Sequence, residues 1–165
     1  VTSPSAIRVA ARYLASRGEE FVPQSEFKYL GVFLDGSGWK TLLRWFQRTS
    51  GEALLSEMPR SPHLTIKFDP SHDDIEDTPL GKKVRLKVVG WAADEKGQAV
   101  EVVPLDGVRS VSAVPHITIA NAPGYRASYS NTLLKKAKGR DPEVRYGRDT
   151  GPTLKGEIRG FRWEE

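Results

Sequence analysis

Two stretches of the 165-residue chain repeat one pattern, Pro62-His63-Leu64-Thr65-Ile66 and Pro115-His116-Ile117-Thr118-Ile119. Each alternates polar and apolar side chains, and a period of two marks a half-buried strand whose successive side chains point to opposite faces. His and Thr of each copy therefore share a face, roughly 6.5–7 Å apart along the strand. The aliphatic residues enter the core. An imidazole has an unperturbed pKa of about 6.5, so it takes or gives a proton near neutrality. Two of them make a complementary pair: one removes a proton from an attacking water, the other delivers one to a leaving alkoxide. A threonine hydroxyl two residues on can donate to a non-bridging phosphoryl oxygen, where charge gathers in the transition state. One copy alone would read as an ordinary strand histidine. Two of the chain's three histidines in matched contexts read as a proton-shuttling phosphate site.

The elements that must hold these strands follow from punctuation and periodicity. Ser3-Pro4 opens a helix that runs to about Arg17 and stops at Gly18, with a polar connection to Glu26. Lys28 to Leu34 is an apolar, aromatic-rich run that reads as a buried strand. Asp35 to Gly38 is a turn, and Trp39, Leu42, Leu43 and Phe46 form a helical stripe ending near Gly51. The first motif strand covers His63 to Phe68, and an acidic loop (Asp69 to Asp77) separates it from a strand over Lys83 to Trp91. Asp94 to Gly97 is a hairpin turn into Ala99 to Val103. The second motif strand follows at Pro115 to Ala120. Ser128 or Ser130 caps a helix through Leu133, Leu134 and Ala137, stopped by Gly139, and Leu154 to Trp163 closes the chain as a strand. This order predicts one α+β domain over residues 1–165, with two pseudo-symmetric lobes of antiparallel sheet flanking a central cleft and helices outside. Each lobe supplies one motif strand, and the motifs face one another across the cleft.

Composition sets the bounds. Cysteine is absent, which excludes disulfides and thiolate–zinc sites, and nothing points to an oxidising compartment. No apolar run approaches the roughly 20 residues that span a bilayer, so no membrane partner is expected. The chain begins at Val1, which reads as a domain excised from a longer polypeptide. Net charge is +4, unevenly spread: Asp69 to Asp77 is acidic, whereas Lys135 to Arg148 is basic and reads either as a surface for an anionic partner such as RNA or as a solvated loop.

Paired His-x-Thr strands resemble the defining motifs of the 2H phosphoesterase superfamily. The order Tyr29 to Leu34, His63 to Phe68, His116 to Ile119 and a closing strand from Gly156 to Trp163 is similar to 2′,3′-cyclic nucleotide 3′-phosphodiesterases. It is equally similar to the cyclic phosphodiesterase domain at the C-terminus of fungal tRNA ligases. The similarity spans about Phe27 to Trp163, and only the two motifs in it are specific. The resemblance implies hydrolysis of 2′,3′-cyclic phosphate RNA ends or nucleotides to 2′-phosphates, with no metal and no cofactor, in tRNA splicing or RNA repair. By the same resemblance His63 and His116 are the acid–base pair, with the two roles unassigned, and Thr65 and Thr118 hold the phosphate oxygens. It further implies an intracellular protein, cytoplasmic or nuclear, acting as a monomeric domain of a larger ligase. A 2H enzyme acting on another cyclic or 2′–5′ linked nucleotide is the runner-up. A nucleotide- or RNA-binding module of the same fold without turnover is the third reading, and two complete motifs weigh against it.

Other residues carry weaker readings. Lys67 continues the alternation of His63 and Thr65, so it reads as a phosphate contact or as a sheet-edge lysine. Tyr29, Tyr125 and Trp163 are candidates to stack on a nucleobase, and Arg126 lies beside Tyr125 in a loop just past the second motif, where a ligand rim forms. Phe33, Trp39, Trp45, Phe46 and Trp91 read as packing residues. His72, between acidic neighbours, reads as part of a solvated loop rather than a metal site.

Overall fold

The structure, a computed structural model, describes residues 27–162; the expected N-terminal helix, its connection and Trp163 lie outside them. The element order is β1 (Phe27–Leu34), α1 (Gly36–Ser50), β2 (His63–Phe68), α2 (His72–Glu76), β3 (Lys83–Ala93), β4 (Gly97–Pro104), β5 (His116–Asn121), α3 (Tyr129–Lys138), β6 (Arg145–Gly147) and β7 (Thr153–Arg162). The strands run β4-β5-β2-β1-β7-β3, and a further pairing of β3 with β4 closes the ring. Every pairing is antiparallel. The α+β class stands, but the sheet is a single six-stranded barrel rather than two lobes with a cleft between them. The motif strands β2 and β5 are accordingly neighbours in one wall, with Leu64 opposite Ile117.

Inward residues alternate along each strand and fill the barrel. Val32, Leu64, Leu86, Val100, Ile117, Leu154 and Ile158 form one buried cluster with Leu42 and Phe46 of α1. Asp35 caps α1, its carboxylate accepting from the Gly38 amide at 2.6 Å, so the residues expected as a turn are the cap and first turn of the helix. Gly51 ends it with φ 72° and an amide bonded to the Gln47 carbonyl. A second, smaller cluster lies on the outer face, where Leu133 and Leu134 of α3 cover Ala92, Ala99 and Val144.

Two short elements escaped periodicity. Within the acidic segment, Ser71 and Asp74 form a reciprocal capping box that starts α2. Three residues of β6 pair with β3 beyond the reach of β7. No helix among the described residues is long and apolar enough to cross a membrane. Phe46 is fully buried between α1 and the barrel, so Phe46→Ala should lower the unfolding free energy by about 3–5 kcal/mol. Urea denaturation measures this, and a loss under about 1 kcal/mol would mean that α1 does not anchor the barrel core.

Candidate active site

Leu64 and Ile117 have no exposed surface, so the polar residues flanking them lie on the outer side of the barrel wall. Antiparallel continuation one residue either way places His63 level with Thr118 and Thr65 level with His116. The four motif side chains thus form a quartet with local two-fold character, the histidines on one diagonal and the threonines on the other. His63 feels the charge of His116, as diagonal neighbours should.

Each imidazole is held the same way. Nδ1 of His63 lies 2.7 Å from the Ser61 carbonyl, and Nδ1 of His116 lies 2.8 Å from the Val114 carbonyl. A carbonyl only accepts, so in the neutral ring Nδ1 carries the proton and Nε2 keeps a lone pair. Nε2 is then the proton-exchanging nitrogen of both rings. Burial pushes both histidines below the ordinary imidazole value of 6.5, against the raising effect of their carbonyl partners.

Beyond these shared features the two copies differ. Thr118 is only 9% exposed, and its hydroxyl lies 2.8 Å from the Ser130 hydroxyl at the start of α3. Ser130 thus serves the site, whereas Ser128 occupies the cap position without a capping bond. The half-buried Thr65 side chain has no hydrogen-bond partner among the described residues, while its carbonyl accepts from the Ser110 hydroxyl.

His63 also sits in an aromatic setting. Its ring stacks on Tyr29 at 4.4 Å and on Phe33 at 5.1 Å between centroids. Gly31 makes room: a Cβ there would lie 2.8 Å from the Leu64 carbonyl and 3.4 Å from Cδ2 of His63. Tyr29 is paired on β7 with Phe161, whose ring stacks on it at 4.9 Å. Because His63 reaches Tyr29 from β2 and Phe161 from β7, the Tyr29 ring is flanked on both sides. Its ring thus packs directly against the histidine. Burial pushes its phenol up to about 12, so it stays protonated. Pro59, Arg60 and Ser61 join Tyr29, His63 and Phe161 around a cleft of about 300 Å³. Arg60 and Phe161 were not singled out from sequence; the position of Arg60 three residues before His63 was the available signal.

The remaining candidates fall elsewhere. A bulge at the β1–β2 register leaves Lys67 opposite buried Leu30 and Phe68 opposite Tyr29, so the alternation counted from His63 does not carry through to Lys67. Its ammonium lies within electrostatic range of Asp74. Tyr125 leans on Tyr129 and Lys96 at the β3–β4 turn, past the end of β5 remote from His116. Exposed Arg126 lies next to Ala127, whose carbonyl accepts from Thr118 at 3.3 Å. His72 lies 3.5 Å from Glu76 on α2, and no group of three potential metal ligands occurs among the described residues.

No family model matches the chain, and no curated protein matches it in sequence. In the solved structures it is similar to a fungal RNA kinase, with a TM-score of 0.56 at 13% identity. The match covers 84% of this chain and 46% of that one, so the described domain corresponds to less than half of that protein. At this identity the likeness is one of fold.

The histidine environment makes two predictions. In NMR titrations the C2 protons of His63 and His116 should report midpoints below 6.5, because burial disfavours the imidazolium; midpoints above it would contradict burial as the dominant influence. Gly31→Ala should shift the His63 ring signals far more than those of His116, and an unchanged His63 spectrum would remove Gly31 as the reason this ring lies where it does.

Proposed function

We propose that the protein hydrolyses 2′,3′-cyclic phosphates at RNA ends or on nucleotides to 2′-phosphates, using His63 and His116 as its acid–base pair. The observation that carries this reading is the matched tethering of the two imidazoles, each with Nδ1 on the carbonyl two residues upstream, on paired strands. Binding alone has no need of two proton-exchanging nitrogens on one face.

In the reaction, one Nε2 takes a proton from water as its oxygen bonds to phosphorus, and the other histidine, protonated, gives its proton to the departing 3′ oxygen. The P–O3′ bond breaks and a 2′-phosphomonoester remains. Charge on the non-bridging oxygens is met by the threonine hydroxyls. Thr118, already held by Ser130, is preset, whereas Thr65 has its hydroxyl available for the phosphate. Arg60 at the cleft rim adds a positive charge beside His63. The likeness of fold to a fungal RNA kinase supports placing this chemistry on RNA, and a domain of a larger RNA-repair protein inside the cell suits that reading.

Turnover of a 2′,3′-cyclic mononucleotide should fall by about 10²–10⁴-fold in His63→Ala and in His116→Ala. It should also persist in excess EDTA. Near-normal turnover by either variant, or an absolute metal requirement, would contradict the two-histidine mechanism. With both imidazoles depressed by burial, kcat/KM should follow a bell centred on the acid side of about 6.5, since one ring must be neutral and the other charged. An anionic substrate favours the imidazolium, so the kcat profile should lie at higher pH than the kcat/KM profile.

A further inference from the structure

The basic stretch after α3 builds a second cleft. It has a volume of about 520 Å³ and lies between α3, β3 and β6, lined among others by Trp91, Glu101, Lys138, Arg140, Tyr146 and Arg148. We propose that this cleft binds the single-stranded RNA segment leading to the reacting end, with Arg140 and Arg148 on its phosphates and Tyr146 stacked against a base. The inference rests on the phosphodiesterase reading for its direction but on separate residues for its chemistry.

Charge in the cleft is unbalanced. Its single carboxylate, Glu101, lies 2.7 Å from the Lys138 ammonium and is neutralised by it. Arg140 and Arg148 are exposed and have no ionic partner among the described residues. By contrast Arg145, nearby in sequence, is committed to Glu52. Just outside the lining, the Asp149 carboxylate is engaged by Nε1 of Trp91 at 3.0 Å. Two guanidinium groups without an ion-pair partner are suited to phosphate oxygens. Tyr146 is 43% exposed and offers a ring of the kind on which bases stack.

Position links the cleft to the histidines. Glu101 at its rim is the β4 partner of His116. Paired strands lie about 4.7–4.9 Å apart, so the Glu101 rim of the cleft lies one strand away from the second motif. Arg148 follows β6, which lies beyond β4 and β3 from the second motif, so a strand longer than a mononucleotide is needed to reach it from the quartet.

The test uses fluorescence anisotropy with a labelled single-stranded RNA octamer ending in a 3′-hydroxyl, which cannot be turned over. Arg140 has φ 56°, and Asn tolerates that left-handed backbone, so the variant is Arg140→Asn with Arg148→Ser. Its Kd should rise about tenfold, and the slope of log affinity against log salt should shrink by about 1.4, near 0.7 for each lost phosphate contact. A charge-matched Lys40→Ser, Lys155→Ser variant should bind like the wild type. Equal losses in both variants, or no RNA binding by the wild type, would overturn the proposal. Binding of a polyglutamate peptide in place of RNA would overturn RNA as the occupant. Because the probe carries no cyclic phosphate, RNA binding by an inactive enzyme would sink the phosphodiesterase reading alone. Active enzyme without selective loss would sink the cleft alone.

Discussion

Leu64 and Ile117 meet where β2 pairs with β5, and neither has any exposed surface. Side chains alternate strictly along a strand, so a slip of one residue in either strand would turn its aliphatic residues outward and bury its histidine and threonine. Hydrophobic burial thereby enforces the register, and the register assembles the quartet on the far side of the wall. The geometry of the quartet is in this sense a by-product of core packing. The barrel interior, closed by β3 pairing with β4 and packed against α1, resists the one rearrangement that would take the site apart.

Orientation within that frame comes from the backbone. The same carbonyl contact, two residues upstream, fixes the tautomer of both rings without any carboxylate. Burial then keeps both imidazoles neutral at a higher proton concentration than free histidine would allow. In the proposed reaction a phosphodiester anion would reverse part of that bias, because a negative charge favours the imidazolium. Where the copies differ, local packing is responsible: α3 engages the hydroxyl of Thr118 through Ser130, while the aromatic rings of β1 close around His63.

Much of this was legible in the sequence because the repeat is a strand pattern, and strand alternation carries side-chain direction with it. The strands at Phe27–Leu34, His63–Phe68 and His116–Asn121 and the two long helices follow the expected positions to within a few residues. What sequence could not give was which strand pairs with which. The β3–β4 hairpin was legible from its turn, but two lobes and one closed barrel share the same order of elements, and the β2–β5 pairing that joins the motif strands in one wall decides between them. The bulge beside Leu30 displaced Lys67 for a related reason, since alternation holds only while register does. Tyr29 was legible as an aromatic near the site, but its flanking by His63 and Phe161 depends on three strands brought together from distant parts of the chain.

The central claim is that the paired histidines open a cyclic phosphate by expelling the 3′ oxygen. Phosphorus NMR of a 2′,3′-cyclic nucleotide incubated with the protein in ¹⁸O-water tests it most directly. The account predicts a single 2′-phosphomonoester resonance carrying one solvent-derived oxygen. A 3′-phosphate product, or a cyclic phosphate left intact, would contradict it.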